Sequence, residues 1–428
     1  MLVLLALLTH AAETREHPLP NVLETEHFAI RWGWLRGFDE EDLQIVADSL
    51  EYAWDAQVGE LGFPAPVDAY RLDVFIADTG PDAPPSYGAR GYFDLDDGVP
   101  FIVLNPDTVA EPEQSVLTAG HEFFHAVQHA AGAYALDGPG GWWMEATAVW
   151  VENYLYPTNP RASGFAWALA FRPELAIDHF VYPSSGAVEE YHLYGAYLYP
   201  LVLAEREGVS IIRASFGHGS DADPLTVLQD LGVDTRGAFL EMADRNATWD
   251  YASETASRDW IDRRGGWDSE LSHRPTGILR PTATWTEPVE PVPQSWGAAY
   301  WLIPSLPSDF QLDVDLPGDT EWHVAVATVT DGEHALWPLP AGENSLVVRD
   351  LEPVDEAWVV VAALGPRDEQ TAWTHRLALT ELDPGSTEPA PRPPSDENCG
   401  CTYAPRGGGL LLFLIPLLGR LRGMSERS

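Results

Sequence analysis

The residues best suited to chemistry are His121, Glu122 and His125, in the run His121-Glu122-Phe123-Phe124-His125. On an α-helix, residues four apart point within about 40° of each other, so both imidazoles can reach one ion. Neutral imidazole nitrogen is a good zinc ligand, and a catalytic zinc keeps three protein ligands and one open position for water. A glutamate between the two histidines sits beside that position, where it can act as general base toward the water. Glu145, twenty positions beyond His125, is the expected third ligand if a second helix runs antiparallel to the first. Taken alone, Glu145 would read as a surface glutamate favouring its helix N-terminus. His129 reads as a capping or core histidine rather than a fourth ligand, because two histidines and a carboxylate complete a catalytic set. The metzincin spacing does not fit, since Val127, Gln128 and His129 place its glycine and third histidine wrongly. The two cysteines, Cys399 and Cys401, lie near the end of the chain, so neither thiolate ligation nor a disulfide is expected in the body.

Several elements must position these groups. The spacing of Leu43, Val46, Ala47, Leu50, Ala53 and Trp54 predicts a helix over 39–61, with Asp39 as N-cap. Residues 71–76 read as a strand, and residues 92–95 and 100–104 as a hairpin around Asp96-Asp97-Gly98. The metal helix is expected to start at Pro112, with Glu111 and Glu113 near the positive end of its dipole, and to stop at Gly132. A second helix, from about Trp142 to Tyr156, follows Pro139-Gly140-Gly141 and ends before Pro157. A third spans 191–207, with Pro200 either kinking or starting it. From residue 281 short alternating runs such as Trp358-Val359-Val360-Val361 predict a β-sandwich reaching 383. Residues 384–398, rich in Pro, Ser, Asp and Glu, read as a solvated linker, and 399–428 as a separate tail.

The chain has 428 residues, 45% of them hydrophobic, and 17 tryptophans, which is enough for more than one well-packed domain. Its formal net charge is −42, and all 24 basic residues are arginine. Such a chain should repel nucleic acid and anionic membranes, and its charge reads first as a solubility feature. Residues 1–12 read as a short signal peptide, although without a basic start. No stretch is long enough to span a bilayer in the ordinary way.

The run from His121 to His125, followed by Trp143-Met144-Glu145-Ala146-Thr147-Ala148, resembles the gluzincins, the zinc peptidases related to thermolysin and to the membrane-alanyl aminopeptidases. With His192-Leu193-Tyr194-Gly195-Ala196-Tyr197 added, the pattern resembles more closely a family of secreted metalloproteases of myxobacteria, over residues 25–250. Thermolysin has an aspartate four residues after its zinc glutamate, where this chain has Val149, so the partner of His121 is left unassigned. The aminopeptidase substrate-amine motif is absent, which argues for an endopeptidase. The aminopeptidases also place a tyrosine three residues before a glycine, as donor to the oxyanion. His192 stands there relative to Gly195, with Tyr191 and Tyr194 as alternatives and aromatic packing as the plain reading. Cys399-Gly400-Cys401, the apolar residues 410–418, Arg420 and Arg422 resemble the myxobacterial C-terminal sorting signal, which implies a lipid-bearing cysteine at the cell surface.

The expectation is therefore an α+β chain. A signal peptide (1–12) precedes a zincin-like peptidase domain (13–280), a β-sandwich (281–383), the linker and the sorting tail. Zn2+ would be held by His121, His125 and Glu145. Glu122 would be the base, and His192 or Tyr194 the oxyanion donor. The partner would be a protein or peptide substrate, with the strand at Phe101 to Leu104 pairing with it. A membrane would be met only through the C-terminal anchor. One rival is a catalytically silent adhesin that keeps the zincin fold. Another is a zinc hydrolase of a different class.

Overall fold

The computed structural model describes residues 12–393 except 160, 163, 252–274, 288–290, 319, 367–371 and 386–387. The expected signal peptide, up to its final residue, and the sorting tail therefore lie outside the described residues. The chain is α+β. Its first half is built on one sheet of β1 (Asn21–Glu24), β2 (Phe28–Trp32), β3 (Leu72–Ile76), β4 (Gly91–Asp96) and β5 (Val99–Leu104), in the order β1-β2-β3-β5-β4. β3, sequence LDVFI, is buried along its whole length and pairs in parallel with β2 and β5, as a strand covered on both faces should. β4 and β5 form the expected hairpin. Asp97 (φ 53°) and Gly98 (φ 80°) both take the left-handed conformation that a two-residue turn of right-handed twist requires.

β5 is an inner strand, with β3 on one side and β4 on the other. The expectation that residues 101–104 pair with a substrate is thereby corrected: its backbone groups are already used, and the open edge belongs to β4.

Two long helices hold the candidate residues; the first packs on this sheet and the second packs on the first. α1 (Glu40–Trp54) continues into a π-helical turn over 55–60. After the single turn α2 (Pro106–Val109) comes α3 (Pro112–Gly132), with Pro112 at its first position and Gly132 at φ 89° at its end. α4 (Gly141–Leu155), sequence GWWMEATAVWVENYL, is apolar on nearly every side and lies in the middle of the core, with Trp142, Trp143 and Trp150 enclosed. The expected helix over 191–207 is broken. After α5 (Ala166–Phe171), a 3-10 turn at Val188–Tyr191 leads into the short α6 (His192–Gly195), and α7 (Leu198–Glu207) starts afresh with Pro200 in its first turn. α8 (Ser210–Ala214), α9 (Pro224–Asp230) and α10 (Thr235–Thr248) complete the helices.

Eight further strands follow: β6 (Gly277–Ile278), β7 (Ala298–Leu302), β8 (Phe310–Asp315), β9 (Trp322–Thr330), β10 (Glu333–Pro338), β11 (Ser345–Val348), β12 (Glu356–Ala363) and β13 (Arg376–Glu381). They make a five-stranded sheet, β10-β9-β12-β7-β6, and a three-stranded one, β11-β8-β13. Along β12, Ala357, Val359 and Val361 fill the space between the two sheets. Trp358, Val360 and Ala362, on the other face, join the same core as α3 and α4. Tyr300 of β7 donates its hydroxyl to the Ala243 carbonyl of α10 (2.9 Å). Residues up to Pro393 form one compact unit, so the strands and the helical half share a single continuous interior.

Part of the expected linker is tied to the strands. Pro393 accepts from the Trp285 indole, Ala390 from Gln311, and Arg392 lies over the Trp285 ring, 3.6 Å from the fully buried Asp313. Residues 388–393 therefore bond to β8 and its neighbours while most of them stay exposed. Among the described residues no helix is long and apolar enough to cross a membrane.

Candidate metal centre

α3 and α4 pack side by side, and this contact brings His121, His125 and Glu145 together. One ligand atom from each lies within 4.8 Å of the others. Glu145 Oε2 is 3.2 Å from His121 Nε2 and 3.5 Å from His125 Nε2. Two ligands each about 2.0–2.1 Å from a tetrahedral zinc stand roughly 3.3–3.4 Å apart, so these separations fit such an ion.

The outer nitrogens explain why the inner ones point this way. His121 Nδ1 meets Glu152 Oε1 at 2.7 Å, and His125 Nδ1 meets Gln128 Oε1 at 2.7 Å. The Gln128 amide nitrogen is committed to the Met144 carbonyl (2.8 Å) and the Thr147 hydroxyl (2.9 Å), so its oxygen must face His125. Both rings thus donate through Nδ1 and turn Nε2 toward Glu145, the nitrogen that a metal would take in place of a proton. Glu152 lies seven residues beyond Glu145, two turns along the same face of α4. The sequence reading looked one turn on, found Val149, and missed it. A buried glutamate inside an otherwise apolar helix was the available signal.

The electrostatics favour a cation. Burial disfavours charge on His121, but its bonds to Glu145 and Glu152 and the nearby Glu122 outweigh this and raise its pKa well above the usual imidazole value. Burial likewise opposes charge on His125, and Glu145 reverses the effect. Glu145 itself is held far below the carboxylate range, because both imidazoles overcome its burial. Buried carboxylates that pull two histidines toward the charged form make a donor set suited to a divalent ion.

Glu122 is buried, and its burial raises its pKa. It lies under β4. A Cβ on Gly91 would stand 2.8 Å from both Glu122 Cγ and Thr118 Cγ2, so only glycine lets the strand approach this closely. Sequence reasoning missed Gly91, since nothing local marks a contact across thirty residues. His129 is exposed against the Phe93 ring of β4, with centroids 5.8 Å apart, and is outside the ligand cluster.

The two candidate oxyanion donors separate. The Tyr194 ring centroid is 6.4 Å from that of His121, and burial with Glu145 and Glu122 nearby keeps its phenol firmly protonated. His192 points elsewhere. Its ring meets His179 edge-on at 5.7 Å, and both its nitrogens are buried without a partner among the described residues. The expectation that His192 serves this site is not supported by its position. His192 and Gly195 are the two ends of the short helix α6, so the spacing of three holds while the ring faces His179 instead of the ligand cluster.

No curated protein matches the chain. A family model does match residues 12–316, covering the metal centre and the first strands of the second half, and the chain belongs to that family, a family of unknown function (DUF6055).

Proposed function

We propose that this protein is a zinc-dependent endopeptidase with a zincin-like first half. The observation that carries the reading is the cup of His121 Nε2, His125 Nε2 and Glu145 Oε2, with both outer imidazole nitrogens already bonded and Glu122 on the same helix. Bound there, a divalent cation supplies Lewis acidity, polarising a carbonyl and making a water acidic. Glu122 takes the proton from the attacking water at its carboxylate and passes it to the leaving amine. The protonated Tyr194 donates a hydrogen bond to the oxygen that becomes negative in the transition state. The open edge of β4 offers backbone groups to an extended peptide beside Glu122. A signal-peptide-like start and a tail that resembles a sorting signal favour a site of action outside the cell, with a C-terminal lipid anchor. The decisive experiment is metal analysis of the purified chain, joined to hydrolysis of a denatured protein by the wild type and by Glu122→Gln. Zinc in both and cleavage only by the wild type is the expected outcome; equal cleavage by both removes the mechanism.

A further inference from the structure

In a chain of net charge −42 most described arginines rest on carboxylates, and Arg161, Arg172, Arg206 and Arg245 each meet two. Arg90 is different. It is exposed, and among the described residues no carboxylate lies within ion-pair distance of it. What holds it is neutral: its Nη1 donates to Gln114 Oε1 at 3.0 Å. Gln114 is itself buried, and its amide nitrogen donates to Thr118 Oγ1 at 3.2 Å. The guanidinium is thus placed by a rigid amide on α3, makes no ion pair among the described residues, and is felt only at longer range by the buried Glu152 carboxylate.

The placement follows the metal helix. Arg90 meets Gln114, Gly91 lies over Thr118 and Glu122, and Phe93 lies against His129. β4 therefore runs along α3 with its open edge beside the base, and Arg90 stands at the end nearest the start of α3. From Gln114 to Glu122 is eight residues, about 12 Å of helix at 1.5 Å per residue. An extended peptide covers that distance in about three to four residues.

We propose that Arg90 is a specificity determinant of this cleft, holding a carboxylate of the substrate about three to four residues from the bond that is cut. The carboxylate belongs to an Asp or Glu side chain or to a free C-terminus. The inference rests on the peptidase reading. It reverses what the bulk charge implies, since a strongly acidic protein would by itself prefer cationic peptides. Gln114 acts as a positioning residue.

The test uses the full-length, zinc-loaded protein and quenched fluorescent peptides. Each carries one Asp, or Asn in its place, at successive positions on either side of a common cleavage site, with a free or an amidated C-terminus. At one position, or with the free terminus, the acid should exceed its neutral counterpart in kcat/KM by about tenfold, and added salt should shrink the ratio. Arg90→Gln should bring that ratio close to one, Arg90→Lys should keep part of it, and Arg90→Glu should favour a Lys-containing peptide. Which arm responds separates a side-chain carboxylate from a terminal one. An acid preference that survives in Arg90→Gln, or no acid preference at any position, overturns the proposal. If the wild type cleaves no peptide, the peptidase reading fails. Arg90 is then decided by titrating the same peptides against the zinc-loaded protein, where equal affinity for acid and amide overturns it.

Discussion

Two pairs of neighbouring histidines, each with one buried and one partly buried ring, differ in what stands behind them. His121 and His125 have each outer nitrogen bonded, to Glu152 and Gln128, and each inner nitrogen turned toward Glu145. His192, completely enclosed beside His179, has neither nitrogen bonded among the described residues, and His179 Nε2 is likewise unmatched. Burial lowers the His192 pKa to about 3, helped by the positive field of His179 and Arg172. In the first pair the same burial is overcome by carboxylates. A buried histidine is made ready for a metal by the groups behind it, and His192 lacks them.

The largest effect that could break this comparison lies at the first pair. Glu122→Gln should keep zinc and lose about two to four decades of turnover, while His121→Ala should lose both zinc and activity. Somewhat smaller is the contrast between the two donor candidates. Tyr194→Phe should lower kcat by about two to three decades with little change in KM. His192→Phe should leave activity near that of the wild type and shift stability by no more than about 1 kcal/mol, because no bond is lost. If the two variants behave the other way round in steady-state kinetics, the assignment of roles is reversed. A third step sharpens the claim about backing groups: Glu152→Gln should weaken zinc binding about 10- to 100-fold in competition with a chelator. Wild-type affinity in that variant would show that the outer contact is packing alone.

The smallest effect lies between His179 and His192. Glu190 accepts from the backbone of Ser184 (2.9 Å), Ser185 (2.9 Å) and Gly186 (2.7 Å), and from both serine hydroxyls. These bonds, the Ser185 hydroxyl foremost, hold its pKa at about 2. A depressed carboxylate stabilises the fold above its ordinary pKa and loses that contribution as the pH falls through the folded value. Residues 180–186 should therefore be cut by an acid-active protease more readily near pH 3 than near pH 5, a window set by that shift. In Glu190→Gln the difference should vanish, while the metal pair keeps its zinc at the higher pH.

Periodicity and cap chemistry were legible in the sequence. α3 and α4 have their expected ends to within a residue or two, because Pro112, Gly132 and Pro157 act locally. The hairpin followed from Asp97-Gly98, and the meeting of His121, His125 and Glu145 from helical spacing plus one contact between two helices. Other features depend on neighbours distant in sequence. Whether β4 or β5 forms the sheet edge is decided by β3, fifteen residues or more upstream. Gly91 is set by Thr118 and Glu122, and Glu152 by the orientation of the His121 ring. The long helix assumed over 191–207 failed because an apolar pattern interrupted by Tyr197 and Pro200 suits two short helices equally well.

The strap at residues 388–393 bears on the order in which the molecule is made. Asp313 is wholly enclosed in β8, where its carboxylate meets Gln311 and, at 3.6 Å, Arg392. During translation β8 leaves the ribosome nearly eighty residues before that arginine does. Until then the strand must bury a carboxyl group without its arginine partner, or leave it in water and postpone closing the two sheets. Because the helical half shares its interior with β7 and β12, it waits as well. Closure of the shared interior is thus tied to the arrival of almost the last described residue.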